Sequence, residues 1–332
     1  MLDLNPTRRL IMTAALGALA LAGALPAGAQ GFPTKPVTLI VPFAPGGAAD
    51  VTGRILAAGM SKALGQTVVV ENAGGAGGAI GVSKVKNATP DGYTIGLGHM
   101  GTHAAAVPVN AKLPYDPRKD FAYLGLVAKT PNIIFVRNDF PARDLKEFIA
   151  YARTKAGDLK MGHSGNGAAS HITCVMFFKM IGAQPTYVAY RGFGQTINDI
   201  MAGNVDGSCD LVASVSGHVK GGKTRALVVA AEARAPQVPE VPTAKEAGMP
   251  EFILETWTGL YASKDIPAEA RAKLEASITT ALADPEVIKR LGDIGARAPQ
   301  GADLGGAAMQ KLVETDTARW IKVLEGIDFT QQ

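Results

Sequence analysis

The chain has 332 residues, a formal net charge of +4, 39 glycines and an aromatic content of 6%. Its Lys and Arg residues are scattered and form no run that would follow a nucleic acid backbone, so we exclude nucleic acid as a partner. A weakly positive charge favours small anions at most. The chain is long enough for two α/β lobes, each with its own core.

Residues 1–29 have the pattern of a removable export signal. Arg8 and Arg9 precede an apolar run from Leu10 to Leu25, and Ala27-Gly28-Ala29 is a small-x-small cleavage site. The apolar run is shorter than the roughly 20 residues that a spanning helix needs. We therefore expect cleavage near Ala29 and a location outside the cytoplasm. The twin arginines leave the export route, general secretion or twin-arginine, open.

Strands and helices alternate from residue 37 onward. The apolar run Val37–Val41 predicts a buried strand, and the spacing of apolar residues predicts a helix over Asp50–Leu64. A strand at Thr67–Glu71, a helix at Gly78–Asn87 and a strand at Tyr93–Leu97 follow. Because parallel crossovers are right-handed, this order predicts a doubly wound parallel sheet flanked by helices.

A second alternation follows the first. Strands are predicted at Leu124–Ala128 and Ile133–Arg137 with an interruption at Thr130-Pro131, and Asp144 with Glu147 forms a capping box that opens a helix. The later predicted strands are Lys160–His163, Tyr187–Ala189, Ser208–Leu211, Ala226–Ala230 and Trp257–Ala262, and the later helices are Ser170–Ile181, Gln195–Ala202, Pro267–Ala283, Pro285–Ile294 and Leu304–Leu324.

The repeated α/β unit predicts two lobes. The chain has two places to cross between them, near Lys129–Pro131 and Glu255–Thr258, and two crossings make a hinge. We expect residues 32–129 and 258–332 in lobe 1, residues 130–257 in lobe 2, and a ligand cleft between the lobes.

Cys174 and Cys209 are the two cysteines of the chain. They lack the spacing of a metal site and of a catalytic cysteine motif. Two separate buried thiols are the simpler interpretation, although an oxidising compartment would allow one disulfide.

Three predicted strands end in glycine-rich turns that run directly into a helix: Pro42–Asp50, Gly96–Thr102 and His163–Ser170. Each turn presents backbone N–H groups and the positive end of a helix dipole. In open α/β sheets, ligands bind at the carboxyl edge of the strands, where these turns lie. The turns therefore predict a site for a small anion, most simply a carboxylate.

Enzymatic interpretations of the same residues are weaker. Gly96-x-Gly98-x-x-Gly101 matches a dinucleotide fingerprint, but it follows the third strand instead of the first. His163 and Ser164 are adjacent on a strand and point in opposite directions, so they do not form a nucleophile–base pair. The histidines are too dispersed for a metal cluster. We expect no catalytic residues, metal or cofactor.

Three charged residues near these turns have two possible roles each. Asp50 is expected to be a helix N-cap and is also a candidate for holding a bound water or a ligand ammonium group. Arg191 is a candidate partner for a ligand carboxylate or for a salt bridge. Asp210, at a strand end on the same edge, is a candidate ligand residue, although orienting a turn is its simpler role.

An ordered set of motifs resembles the extracytoplasmic substrate-binding proteins of tripartite tricarboxylate transporters, the TctC or Bug family. The motifs run through nearly all of the chain after the signal. They are Pro36–Gly47, Leu64–Asn72, Gly74–Gly78, Pro90–Tyr93, Ser164–His171, Tyr190–Gly192, Ala202–Asp206 and Val241–Thr243.

The resemblance implies a two-lobed, periplasmic-binding-protein-like fold that closes over a small carboxylate, commonly a di- or tricarboxylate, and delivers it to integral membrane transporter subunits. It implies a periplasmic location, and we expect a monomer. A sensor subunit for a receptor kinase and an exported α/β hydrolase are the alternatives. The candidate ligand-binding residues are Ala48, Ala49, Asp50, His99, Gly101, Thr102, Ser164, Gly167, Ala169, Ser170, Arg191 and Asp210.

Three positions depart from the pattern of the resembling family. Phe193 and His99 stand where small residues are frequent, and Cys209 stands where many members have Phe. The added apolar surface of Phe193 favours a ligand with an apolar body, including an aromatic carboxylate, over compact citrate. Phe193 packing under its own loop is the alternative.

Overall fold

The structure, a computed structural model, describes residues 31–327 and residue 329. The predicted signal, residues 1–29 with its cleavage point, lies outside the described residues. Residues 31–34 belong to a first unit and have no helix or strand, and the chain from Lys35 onward forms the second unit, which is described below. None of the described helices is both long and apolar enough to cross a membrane.

Strands and helices alternate along this second unit. The strands are β1 (Val37–Val41), β2 (Val68–Asn72), β3 (Thr94–His99), β4 (Phe121–Arg137), β5 (Lys160–His163), β6 (Thr186–Ala189), β7 (Gly207–Leu211), β8 (Thr224–Val229) and β9 (Glu255–Ser263). The helices are α1 (Ala48–Leu64), α2 (Ala79–Lys86), α3 (Ala106–Val109), α4 (Leu145–Lys155), α5 (Ala169–Ile181), α6 (Phe193–Met201), α7 (Val212–Lys220), α8 (Ala268–Ala283), α9 (Pro285–Asp293) and α10 (Gly306–Val323). A π-helical turn at Gly101–Ala105 precedes α3, and three-residue 3₁₀ turns occur at Ala76–Gly78, Ala156–Asp158 and Gly301–Asp303.

The first part of the sheet is built around β1. This strand is parallel to both of its neighbours, β2 and β3, and β9 then pairs antiparallel with β3 and with β4. The order in this part is β2-β1-β3-β9-β4. Helix α1 buries Ile55, Leu56 and Met60, the apolar positions whose spacing predicted it. The predicted strands and helices of this region are confirmed, with bounds that differ by one or two residues.

β4 is one continuous strand, so the predicted interruption at Thr130-Pro131 is wrong. Its first section pairs with β9, and Pro131 opposite Glu255 is the last pair of that ladder. From Asn132 onward β4 pairs with β7 and β8 instead. Proline lacks a backbone donor, and it is tolerated here because it stands where one ladder ends and the next begins.

The second part of the sheet contains β5 to β8 with the end of β4. Here β4 lies between β8 and β7, antiparallel to both, and β5 is parallel to β7 and to β6. The two predicted crossing points fall on β4 and β9, the strands that pair with each other beside the change of ladder. The lobe boundaries themselves stay a prediction.

Helix α7 was not predicted. Its apolar positions Val212, Val215 and Val219 have helical spacing, and Gly221-Gly222 follows its end. The segment between the predicted strands Ser208–Leu211 and Ala226–Ala230 is short, and its apolar spacing alone did not predict a helix. The omission matters because the beginning of α7 contributes to the candidate site.

Cys174 and Cys209 form a disulfide across 35 residues of sequence, so the interpretation as separate thiols is wrong. Cys174 lies on α5 and Cys209 on β7, and their Cα atoms are 5.2 Å apart. The cysteines are distant in sequence, and only the packing of α5 against β7 brings them into bonding range. The bridge fixes α5 to β7 next to the candidate site.

Candidate functional site

A pocket of about 400 Å³, counting the open space at its mouth, lies at the carboxyl ends of β1, β3, β5 and β7. This is the edge of an α/β sheet at which ligands bind. The lining residues come from all three predicted turns, from the beginning of α6 and from the junction of β7 with α7. They are Phe43, Ala44, Gly47, Ala48, Ala49, His99, Ser164, Ala168, Ala169, Ser170, Phe193, Asp210, Leu211 and Ser214.

Three described helices that begin at this pocket are not capped by the side chain of their own N-cap residue. Their N-cap residues are Gly47 for α1, Ala168 for α5 and Leu211 for α7, and all three line the pocket. The first N–H groups of a helix have no partner within the helix, and the dipole makes this end positive. These backbone N–H groups favour an anion, although none of the described lining residues is Lys or Arg.

Asp50 stabilises the first turn from outside the pocket. It is the third residue of α1, so the expected N-cap role is wrong; Gly47 is the N-cap. One carboxylate oxygen accepts from the N–H of Gly46 at 3.0 Å, and the other accepts from Asn72 at 3.0 Å and pairs with Arg54 at 2.9 Å. Burial opposes ionisation, but these partners outweigh it and lower the pKa of Asp50. Its role toward a ligand stays a prediction.

His99 lines the pocket as a buried, neutral ring. Its Nδ1 accepts from the N–H groups of Gly101 at 2.9 Å and Thr102 at 3.4 Å, and its ring stacks on Phe43 with centroids 5.0 Å apart. Burial lowers the pKa of His99 to about 4, so the ring is neutral at pH 7. Because Nδ1 is an acceptor, the proton of the neutral ring is on Nε2.

Thr102 and Gly101 shape the second turn but do not line the pocket. The fully buried Thr102 hydroxyl lies 3.1 Å from the backbone N–H of His99 and 2.8 Å from Nδ1 of His103. A Cβ on Gly101 would lie 2.7 Å from the N–H nitrogen of Ala169 and from the carbonyl oxygen of Gly167. Glycine at 101 thus lets the second and third turns approach closely.

The glycine pattern at 96–101 packs aromatic rings. A Cβ on Gly96 would overlap the ring of Tyr261, and a Cβ on Gly98 would overlap the ring of His103. Both rings are buried. The close packing of these rings explains the glycines at 96 and 98, so this glycine pattern needs no dinucleotide-binding role.

The third turn brings two serines to the pocket. The N–H of Ser164 donates to the hydroxyl oxygen of Ser170 at 3.0 Å, which leaves the Ser170 proton free to donate elsewhere. Gly167 lies outside the pocket lining, and its N–H donates to Nδ1 of His171 at 3.1 Å. His163 stacks on His171 with centroids 4.3 Å apart and does not line the pocket, whereas Ser164 does.

Asp210, Leu211 and Ser214 form the remaining wall. Oδ1 of Asp210 accepts from the Leu211 N–H at 2.7 Å and from the Ser214 hydroxyl at 2.8 Å. The Ser214 oxygen in turn accepts from the N–H of Ala48 at 3.2 Å. Burial raises the pKa of Asp210 to about 6, although these two hydrogen bonds act to lower it. Sequence reasoning missed Ser214 because it missed α7.

Arg191 is placed apart from the other candidates. It is exposed, its backbone N–H donates to Gln195 at 3.0 Å, and it lines a separate groove with Lys112 and Tyr190. Phe193, two residues later, is buried, lines the main pocket and packs against Phe135 with ring centroids 6.5 Å apart. Of the twelve predicted residues, seven line the main pocket: Ala48, Ala49, His99, Ser164, Ala169, Ser170 and Asp210.

Comparison with known proteins identifies the family. The model of the tripartite tricarboxylate transporter family receptor matches residues 52–329. A UPF0065 protein of Agrobacterium vitis is 37% identical over 88% of this chain and 84% of its own length. MatC from Rhodopseudomonas palustris, solved with bound malate, is 39% identical, with a TM-score of 0.85 over 89% of this chain and 100% of that chain. R. palustris Rpa4515, solved with adipate, is 32% identical, with a TM-score of 0.84 over 89% of this chain and 97% of that chain.

These similarities cover 88% to 89% of the chain. The fold is of the mixed α/β type found in periplasmic binding proteins. The relatives are substrate-binding proteins, which sets the hydrolase alternative aside. The chain belongs to the tripartite tricarboxylate transporter receptor family, and it is a solute-binding protein and not an enzyme.

Proposed function

We propose that this protein captures a small carboxylate in the periplasm and delivers it to the membrane subunits of a tripartite tricarboxylate-type transporter. The observation that carries this proposal is the convergence on one pocket of three helix N-termini whose N-cap residues supply no side-chain cap. Such a pocket stabilises an anion through backbone N–H groups. The malate and adipate found in two relatives are carboxylates, as the proposal requires.

The ligand carboxylate is held by the first and third turns. The backbone N–H groups of Ala49, Ala169 and Ser170 and the Ser170 hydroxyl are the proposed donors, and Nε2–H of His99 is a further one. Phe43 and Phe193 cover the carbon skeleton. Ala48 contributes through its hydrogen bond to Ser214, which links α1 to α7.

Closure of the two proposed lobes, residues 32–129 with 258–332 and residues 130–257, encloses the ligand. The two strands β4 and β9 serve as the hinge. The hydrogen bond between Ala48 and Ser214 joins the first segment to the second and is a contact expected to form on closure.

A calorimetric and thermal-shift screen of the purified protein against mono-, di- and tricarboxylates tests ligand binding. A true ligand at 100 times its Kd stabilises the protein by about 2.7 kcal/mol. The methyl ester of each active acid is the matched control, because it keeps the carbon skeleton and removes the anion. Binding of the ester as tightly as the acid, or no shift with any carboxylate, contradicts the proposal.

Transport is tested separately in cells. Deletion of the gene is expected to abolish uptake of the identified acid, and the wild-type gene is expected to restore it. Continued uptake together with a lost transcriptional response to the acid would favour the sensor alternative. Light scattering of the purified protein tests the expected monomer, and N-terminal sequencing of the periplasmic protein tests cleavage near Ala29.

A further inference from the structure

Asp210 is the only charged side chain among the described residues that line the pocket. It is 7% exposed. A buried carboxylate is normally paired with a cation, because the loss of hydration is otherwise uncompensated. Neither Lys nor Arg occurs among the described residues of the pocket lining, and the neutral ring of His99 supplies no charge. Asp210 is therefore retained in this pocket without a counter-ion.

The two oxygens of Asp210 have different surroundings. Oδ1 accepts two hydrogen bonds, from the backbone of Leu211 and from the hydroxyl of Ser214. Oδ2 has no hydrogen-bond partner among the described residues. It is also not among the fully enclosed polar atoms without partners, so it reaches the open space of the pocket.

The orientation of the carboxylate is fixed. Two donors hold Oδ1, and Ser214 is itself held by the N–H of Ala48. Rotation of the carboxylate away from the pocket would break both bonds to Oδ1. Oδ2 is consequently a preorganised acceptor that faces the ligand, with the pKa of Asp210 at about 6 leaving it mostly ionised at pH 7.

We propose that the natural ligand is a carboxylate that also bears a hydrogen-bond donor, a hydroxyl or an ammonium group, and that Oδ2 of Asp210 accepts from this donor. This inference rests on the proposed function and narrows its ligand class. The carboxylate of the ligand lies against the helix N-termini, and its donor group lies against Asp210. A site built to pair with a donor discriminates strongly against an analogue that lacks it, because its own buried acceptor is then left unpaired.

Two matched series of acids test the proposal by titration calorimetry with the purified protein at pH 7.5. Succinate, malate and aspartate share a four-carbon diacid skeleton and differ in a hydrogen, a hydroxyl and an ammonium group. Phenylpropionate, phenyllactate and phenylalanine repeat the comparison on an apolar skeleton. In the series that fits the pocket, the hydroxy or the amino acid is expected to bind at least about tenfold more tightly than the unsubstituted acid. The relative affinity of these two identifies which donor is natural.

The variant Asp210→Asn tests whether Asp210 causes the preference for the hydroxy or amino acid. Asparagine keeps an acceptor for Leu211 and Ser214 and replaces the acceptor Oδ2 by an amide donor. The variant is expected to lose the tenfold preference, because the substituted and unsubstituted acids then differ little. Asp139→Asn is the matched control, since Asp139 is an 81% exposed aspartate away from the pocket, and it is expected to keep the wild-type ranking.

The relative affinities of the acids for the wild-type protein test the inference without any variant. If the unsubstituted acid binds as tightly as its hydroxy and amino counterparts, the inference is overturned while carboxylate capture stands. If Asp210→Asn keeps the wild-type preference, the assignment to Asp210 is overturned. If no acid of either series binds, the inference and the proposed carboxylate site both fail.

Discussion

Asp50 and Asp210 are two aspartates at the same edge of the sheet, and they are almost equally buried, with 5% and 7% of their surface exposed. Asp50 has partners on both oxygens, including Arg54, and its pKa is lowered. Asp210 has partners on one oxygen and no cation, and burial raises its pKa to about 6. Burial by itself therefore does not identify a binding residue. Among the described residues, the partners of each oxygen distinguish the two aspartates: both oxygens of Asp50 are engaged, whereas only Oδ1 of Asp210 is.

The largest expected effect concerns the disulfide, which fixes the Asp210 side of the site and has no counterpart next to Asp50. The double substitution Cys174→Ala/Cys209→Ala is expected to lower the free energy of unfolding by about 3–4 kcal/mol, because the unfolded chain gains the freedom of an open loop. Urea denaturation with and without reductant measures this effect. The variant should be insensitive to reductant, and a denaturation midpoint equal to that of the oxidised wild type would contradict the prediction.

The second prediction uses pH to separate the two aspartates. Because the pKa of folded Asp210 lies above that of an unfolded aspartate, Asp210 contributes stability that is present below about pH 3.8 and is lost as the pH rises through about 6. Lowering the pH from 7.5 to 4.5 should therefore stabilise the wild type relative to Asp210→Asn by about 2 kcal/mol. Chemical denaturation of both ligand-free proteins at each pH measures the difference.

The comparison of wild type and Asp210→Asn separates the pH dependence of stability due to Asp210 from that due to the buried histidines. Burial lowers the pKa of His99 and His163 to about 4 and that of His103 to about 3, so their contribution is lost as the pH falls below about 6.5. This loss is common to both proteins and cancels in the difference. A difference that does not change with pH would show that Asp210 titrates as an ordinary aspartate.

The third prediction concerns Asp50, whose ionised form stabilises the fold because its pKa is lowered and not raised. Asp50→Asn is expected to lower the free energy of unfolding by about 2 kcal/mol at pH 7, because the amide weakens the bonds to Gly46 and Arg54. Thermal denaturation measures it. Asp139→Asn, which removes an exposed ion pair with Arg137, is the control and should cost clearly less than Asp50→Asn. Equal losses in the two variants would place Asp50 among ordinary surface ion pairs.

The smallest expected effect distinguishes Ser170 from Thr102, both of which the sequence makes candidates for ligand binding. Ser170→Ala is expected to weaken ligand binding about tenfold, or about 1.4 kcal/mol, because its free proton faces the pocket. Thr102→Ala is expected to reduce stability by about 1 kcal/mol with a smaller effect on affinity, since its hydroxyl is engaged within the second turn. Calorimetry and denaturation of both variants test this division. An equal loss of affinity in both would restore the original expectation.

Much of the fold was predictable because it depends on local patterns. The short apolar run of β1, the 3.6-residue spacing of α1 and the capping box of α4, in which Glu147 N–H donates to Asp144 at 2.8 Å, are properties of neighbouring residues. The same holds for the three glycine-rich turns, two of which contribute several residues to the pocket and one of which contributes His99.

Other features depended on contacts between distant segments. The sequence by itself determined most of the order of strands and helices, the family and the glycine-rich turns, because each is encoded in short stretches of chain. Only the tertiary structure decided that Cys174 meets Cys209, that Pro131 lies within a continuous strand, and that Arg191 lies apart from the pocket. It also decided the opposite pKa shifts of Asp50 and Asp210, because the pKa of a buried carboxylate depends on which distant donors and cations the fold brings to each oxygen.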